Sequence, residues 1–268
     1  MAISITLLIT ALLAADCESI PGSNTLWSSP SINWLFIGED HGTNEEPEAF
    51  GDIICGASIS RKVLVAVEQP ASEQSAIDTF LTSNGGAAAR DVFLKSAIWT
   101  NTFKDGRSSQ AQFRLFERWR TMYSRGKIAG VIAFQPVTAV ASAAEYEAAM
   151  AGELKRASRP DHLVIALVGN VHAMRTKVSY SNPSYMPAAG LLPRKQTVSV
   201  TFERSGGEQW ACASMTECGV ISSPAPATPV PAGTRIEPDG TSSYSAVLYL
   251  GKLTSASPPQ PTPLLDRR

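Results

Sequence analysis

Two histidines occupy matching places in this chain, and its chemistry is read from them. His41 ends Gly38-Glu39-Asp40-His41 and His172 ends Gly169-Asn170-Val171-His172, each three residues after a glycine that closes an apolar run. Between them in sequence, Val63-Leu64-Val65-Ala66-Val67 leads straight into Glu68. The chain has 3 histidines, so two in equivalent positions form a pattern that carries information. Imidazole nitrogens and carboxylate oxygens together suit a divalent transition metal, with His41, Glu68, His172 and Glu39 as the candidate ligands. Such a metal would polarise a carbonyl and lower the pKa of its bound water toward about 7. Without a metal, the same residues supply a general base, His41, held by a carboxylate such as Glu68. Both versions need a donor for developing negative charge, and Arg107, in the polar loop 99–109, is the candidate clamp for an oxyanion or a substrate anion.

The elements that must position these groups follow from the apolar pattern. Runs 34–37, 63–67 and 163–168 lack polar alternation, as expected of strands covered on both faces. Gly38 is expected to turn the backbone, with Thr43 or Asn44 capping a helix over 46–59 and Pro47 just inside its start. Glu39 or Asp40 could equally serve that helix as a cap. Helices are expected over 72–81, over 109–125 with Phe113, Phe116, Trp119, Met122 and Tyr123 on one face, and over the alanine-rich 141–157. Asp105 or Ser108 would cap the aromatic helix. Strand 128–134 would bring Gln135 to the same edge as the other candidates. Four strand–helix units predict an α/β fold with a mainly parallel central sheet and helices on both faces. In such sheets ligands bind at the carboxyl ends of the strands; there His41, Glu68 and His172 converge if their strands are neighbours. Further on, 197–202 and 209–213 flank Ser205-Gly206-Gly207 as a hairpin. The stretch 222–231, with Pro224, Pro226, Pro229 and Pro231, is an extended connector. With 244–250 as a last strand, residues 195–250 are expected to add antiparallel edge strands. The expected organisation is one domain over 30–254 and a disordered tail over 255–268.

The paired Gly-x-x-His elements with Glu68 between them resemble the erythromycin esterase, ChaN and Tiki superfamily over roughly residues 32–175. The resemblance implies an α/β fold with a polar site, in a family that includes an antibiotic esterase, a Wnt-directed metalloprotease and a haem-binding lipoprotein. Its esterase and protease members use matching histidines and a glutamate, which implies a hydrolase acting on an ester or amide of a small molecule or peptide. The haem-binding branch implies a second reading, a haem or iron carrier without turnover, for which Tyr180 and Tyr185 are the available ligands. A domain that binds a partner without catalysis is a third reading.

Composition narrows the setting. With 268 residues and 44% hydrophobic content the chain can bury one large core. A net charge of −1 with 18% charged residues offers no basic stripe for nucleic acid. The apolar stretch 3–15 is too short for a stable membrane span and fits an export signal over 1–16 that ends near Ala14-Ala15, implying a periplasmic or secreted protein. Of the 4 cysteines, Cys212 and Cys218 are expected to form a local disulfide. Cys55 is expected to be a small buried hydrophobe, and Cys17 is a possible lipidation site. A Gly-x-Ser-x-Gly elbow, a P-loop and a dinucleotide-binding glycine motif are missing from the sequence.

Overall fold

The structure, a computed structural model, describes residues 17–263 except Ser19, Thr138, Ala139, Arg204, Met215 and Thr241. The expected export signal and residues 264–268 lie outside the described residues.

The elements run β1 (Trp34–Glu39), α1 (Glu45–Ala57), β2 (Lys62–Pro70), α2 (Gln74–Thr82), α3 (Ala87–Leu94), α4 (Ala97–Thr100), α5 (Gln110–Ser124), β3 (Ile128–Gln135), α6 (Ala143–Ala157), β4 (His162–Gly169), α7 (Asn170–Ala173), β5 (Thr197–Glu203), β6 (Gly207–Cys212), β7 (Cys218–Ser223), β8 (Gly233–Ile236) and β9 (Ala246–Tyr249). A 7-stranded sheet takes the order β3-β2-β4-β1-β5-β9-β8. It is parallel from β3 to β9, and β8 alone runs antiparallel, against β9 at the edge. This is the expected α/β fold with a mainly parallel sheet and an antiparallel edge.

The period of two along each strand divides the core. Leu35 and Ile37 of β1, Val65 and Val67 of β2, and Ile165 and Leu167 of β4 pack with Phe50, Phe80, Phe93, Phe116 and Trp119 from α1, α2, α3 and α5. Phe36, Ala66, Val164 and Val168 face the other way, onto Met150 and Leu154 of α6 and Ala173 of α7. The same parity sends Glu39 to the α1/α5 side and Glu68 to the α6 side, so the two carboxylates serve opposite layers.

Four expectations are corrected. Residues 197–202 do not form a hairpin with 209–213. β5 pairs parallel to β1 inside the main sheet, and β6 pairs antiparallel with β7 instead. The physical reason is burial: Val200 and Phe202 of β5 belong to the core, a place that a two-stranded surface hairpin cannot offer. Residues 254–260 are packed rather than disordered, with Thr254 and Ser257 buried and their backbone bonded to two loops of the site. Cys55 is half-buried and bridges to Cys17 as a disulfide instead of packing as a free thiol. Gly38 makes no turn; it lies within β1, where an added Cβ would stand 2.8 Å from Asn170 Oδ1 and 3.1 Å from Ala173 Cβ, so its bareness lets α7 seat against the strand. The turn falls to Gly42, at φ +85°. The expected Cys212–Cys218 disulfide joins the paired ends of β6 and β7.

Candidate functional site

The order β2-β4-β1 makes the three strands that carry the candidates direct neighbours, and their carboxyl ends share one edge. His41, Glu68, His172 and Arg107 therefore meet above that edge. Glu68 is the centre. Its Oε2 accepts the Gly169 N–H at 2.7 Å, and its Oε1 accepts from Arg107 Nη1 at 3.1 Å and from Gln135 Nε2 at 3.2 Å. His41 Nε2 lies 3.8 Å from Oε2 and His172 Nε2 lies 3.7 Å from Oε1. Those separations are too long for direct hydrogen bonds and bring each Nε2 close to van der Waals contact with the carboxylate. Gly169 forms the floor, where an added Cβ would stand 3.2 Å from His41 Nε2 and 3.7 Å from His172 Cδ2.

Each imidazole is held from behind by a buried carboxylate. His41 Nδ1 bonds Glu39 Oε1 at 2.8 Å, and that oxygen also accepts Gln112 Nε2 at 2.9 Å. His172 Nδ1 bonds Glu147 Oε1 at 2.7 Å, while Glu147 Oε2 accepts the Ala188 N–H at 2.8 Å. A carboxylate on Nδ1 holds a proton there in either state of the ring, so Nε2 is the atom that gains or gives up a proton in the site. Both rings thus present Nε2 toward Glu68 from opposite sides.

The electrostatics follow from this packing. Burial opposes the charge on His41, but the Glu39 hydrogen bond and the field of Glu39 and Glu68 outweigh it, so His41 protonates above the usual histidine range. His172 is raised in the same way, with Glu147 and Glu68 overcoming burial. Burial pushes the Glu39 carboxyl up. For Glu68 burial raises the pKa, but His172, His41, Arg107 and the Gly169 N–H together hold it below the ordinary carboxylate value. Arg107 is kept charged against its burial by Glu68 and Asp105, whose Oδ2 accepts from Nε at 2.8 Å and from Nη2 at 2.6 Å. Burial and the charge of Glu68 push the Tyr146 hydroxyl up to about 12; it accepts from Gln135 Nε2 at 2.8 Å.

The expected residues are distributed as follows. His41, Glu68, His172 and Arg107 are brought together, and Gln135 joins them at the end of β3. Glu39 reaches the site only through Nδ1 of His41, behind the ring, so it orients and does not stand with the two Nε2 atoms as a ligand. Asp40 Oδ1 accepts from Asn170 Nδ2 at 2.6 Å, tying the turn after β1 to the start of α7. Asp105 pairs with Arg107, and the cap of α5 is Ser109, whose Oγ accepts the Gln112 N–H. Tyr180 is 77% exposed, and Tyr185 pairs its backbone with Val178 in the loop after α7. Glu147 and Gln112 were not foreseen. Both sit on buried helical stripes, Glu147 with Met150, Ala151 and Leu154, and Gln112 with Leu115, Phe116 and Trp119. A polar residue on such a stripe is the signal that would have found them.

The donor set does not fit a divalent metal. Glu68 already accepts three N–H groups and has its charge balanced by Arg107, and Glu39 and Glu147 stand behind the rings on Nδ1. Among the described residues no group of three or more His, Cys, Asp or Glu is arranged to hold a metal ion.

No protein-family model and no characterised protein sequence matches this chain. Among solved structures, a variant of the erythromycin esterase EreC in its open conformation superposes with a TM-score of 0.53 at 13% identity, covering 91% of this chain and 94% of that one. The type III effector HopBA1 gives a TM-score of 0.46 at 16% identity, covering 75% of this chain and 91% of that one. The likeness to EreC is one of fold, in line with the erythromycin-esterase branch of the expected resemblance.

Proposed function

We propose that the chain is a hydrolase that splits an ester or amide bond by paired imidazole acid–base catalysis. The observation that carries this reading is the arrangement of two carboxylate-backed imidazoles aimed at one ionised glutamate, with a guanidinium beside it. His41 is the base: with Glu39 on its Nδ1, its Nε2 takes a proton from a water bonded to it on the open side of the site. The water oxygen bonds to the substrate carbonyl carbon, and the oxyanion so formed is met by Arg107 N–H groups not spent on carboxylates. His172, held protonated by Glu147 and Glu68, gives its Nε2 proton to the leaving oxygen or nitrogen as the carbon–heteroatom bond breaks. The negative charge of Glu68 stabilises whichever imidazole is protonated through the cycle.

In this metal-free version Arg107 supplies the positive charge at the site, so turnover is expected to survive chelation. Elemental analysis of the purified protein, with ester turnover measured before and after EDTA dialysis, tests this directly. Loss of activity on dialysis with recovery on adding a divalent metal would restore the metal-assisted version. The same sample, titrated with haem, tests the carrier reading; a Soret shift at micromolar protein would favour it. The disulfides Cys17–Cys55 and Cys212–Cys218 support an oxidising compartment, consistent with export, and the first of them leaves Cys17 no thiol to lipidate. Among the described residues no helix is long and apolar enough to cross a membrane.

A further inference from the structure

The turn that carries His41 and the start of the helix that supports its partner both lean on a segment distant in sequence. After β9 the chain runs extended through 254–260, bridging Thr43 to Ala256 on one side and Ser109 to Pro259 on the other. Ser257, fully buried, sits between them. Its N–H donates to the Gly42 carbonyl at 2.7 Å, and its Oγ accepts the Ala111 N–H at 2.9 Å. The next carbonyl, of Pro258, accepts the Gln110 N–H at 2.9 Å. First-turn N–H groups have no carbonyl within their own helix, so this segment, and not α5 itself, satisfies two of them.

We propose that Ser257 is a positioning residue for His41, closing a ring of hydrogen bonds that fixes the imidazole. The ring passes from Ser257 Oγ to the Ala111 N–H, along the chain to Gln112, from its Nε2 to Glu39 Oε1, and on to His41 Nδ1. It returns along the chain to Gly42, whose carbonyl accepts the Ser257 N–H. Glu39, Gln112 and Ser257 are all buried, so a broken link leaves a polar group with no water to replace its partner. Gly42 has no freedom to compensate: the Trp210 N–H donates to the same carbonyl at 2.9 Å, and an added Cβ would stand 2.0 Å from the Trp210 carbonyl oxygen. Without the Ser257 hydroxyl the start of α5 loses one anchor, and Gln112, Glu39 and the imidazole lose their common frame.

The proposal rests on the hydrolase reading only for its kinetic arm. The full chain, Ser257→Ala and Ser257→Thr are compared by hydrogen exchange and by turnover of p-nitrophenyl acetate. In Ser257→Ala, peptides covering 39–45 and 108–113 are expected to exchange faster together, while 63–67 and 163–168 stay as protected as before. The kcat is expected to fall about tenfold, within the ~10²-fold that a 1 Å misplacement of a reacting group can cost, with KM unchanged. Ser257→Thr, which keeps the hydroxyl, should restore both. Unchanged protection in the two segments, or faster exchange spread evenly over the sheet, would overturn the proposal, as would equal losses in the threonine and alanine variants. If the wild type shows no turnover of any ester, the hydrolase reading falls and the exchange result still decides the role of Ser257.

Discussion

His41 and His172 share a design, a buried carboxylate on Nδ1 and Glu68 before Nε2, yet they stand in different fields. Burial opposes protonation of both, while the carboxylate behind each ring and Glu68 before it favour it. The smaller opposing charge is Arg107 at His41 but His41 itself at His172. Both are raised above the ordinary 6.5, so the base form of His41 grows in only above that pH. The expected profile of kcat/KM therefore climbs through neutral pH with an acid limb above 6.5 and falls again once His172 loses its proton. A limb at or below 6.5 in a stopped-assay pH series would contradict the assignment of base. Glu147→Gln removes the charge behind His172 and is expected to move the alkaline limb downward, with a smaller change in the acid limb. At this scale the sequence was legible for residues that follow strands. Two Gly-x-x-His elements and a strand-end glutamate have a position fixed by the period of the sheet, so their meeting could be foreseen. Glu147 and Gln112 lie inside helices, where one polar residue on an apolar stripe reads as noise until the partner across the interface is known. Arg107 could be suspected from its loop, but its engagement by both Glu68 and Asp105 depends on a fold-back that no local pattern encodes.

At the scale of elements, the glycines locate the tight contacts. Gly38→Ala would put a Cβ 3.0 Å from Asn170 Cα, a backbone atom that cannot swing aside. The expected cost is about 1–3 kcal/mol, the usual range for overpacking, measured by urea unfolding, together with displacement of α7 and of His172 on it. An unchanged unfolding midpoint would show that α7 is not seated on β1 as described. Hydrophobic runs read well for β1, β2, β3 and β4 because strands buried on both faces have one dominant pattern. The failures came where a strong local turn signal met a long-range alternative. Ser205-Gly206-Gly207 does break the chain, but Val200 and Phe202 gain more by burial beside β1 than a surface hairpin gives them. The segment 254–260, polar and rich in proline, looks disordered in composition; its order comes from backbone donors on two distant loops that need acceptors.

Across the whole molecule, two disulfides tie the chain to itself, one of them closing the 38-residue span between Cys17 and Cys55. Reduction is expected to cost roughly 3–4 kcal/mol for that longer loop, and thus to lower Tm by about 6–16 °C for a chain of this size, read by calorimetry with and without reductant. Stability and activity should also part company with pH. A histidine raised in the folded state stabilises fully below its unfolded value near 6.5 and loses that contribution as pH rises through its folded value. His172 therefore stabilises the fold less over the same rise in pH that brings the His41 base into action. The central claim is that the paired imidazoles around Glu68 turn over an ester, and it rests on His41. The most direct test is the turnover of p-nitrophenyl esters by metal-stripped wild type beside metal-stripped His41→Ala, with thermal unfolding recorded for both. The account predicts activity in the wild type and a loss of about 10²–10⁴-fold in the variant, as for removal of a general base, with the variant still unfolding cooperatively at a Tm lowered by the loss of the Glu39 partner. Equal turnover in the two proteins would contradict it.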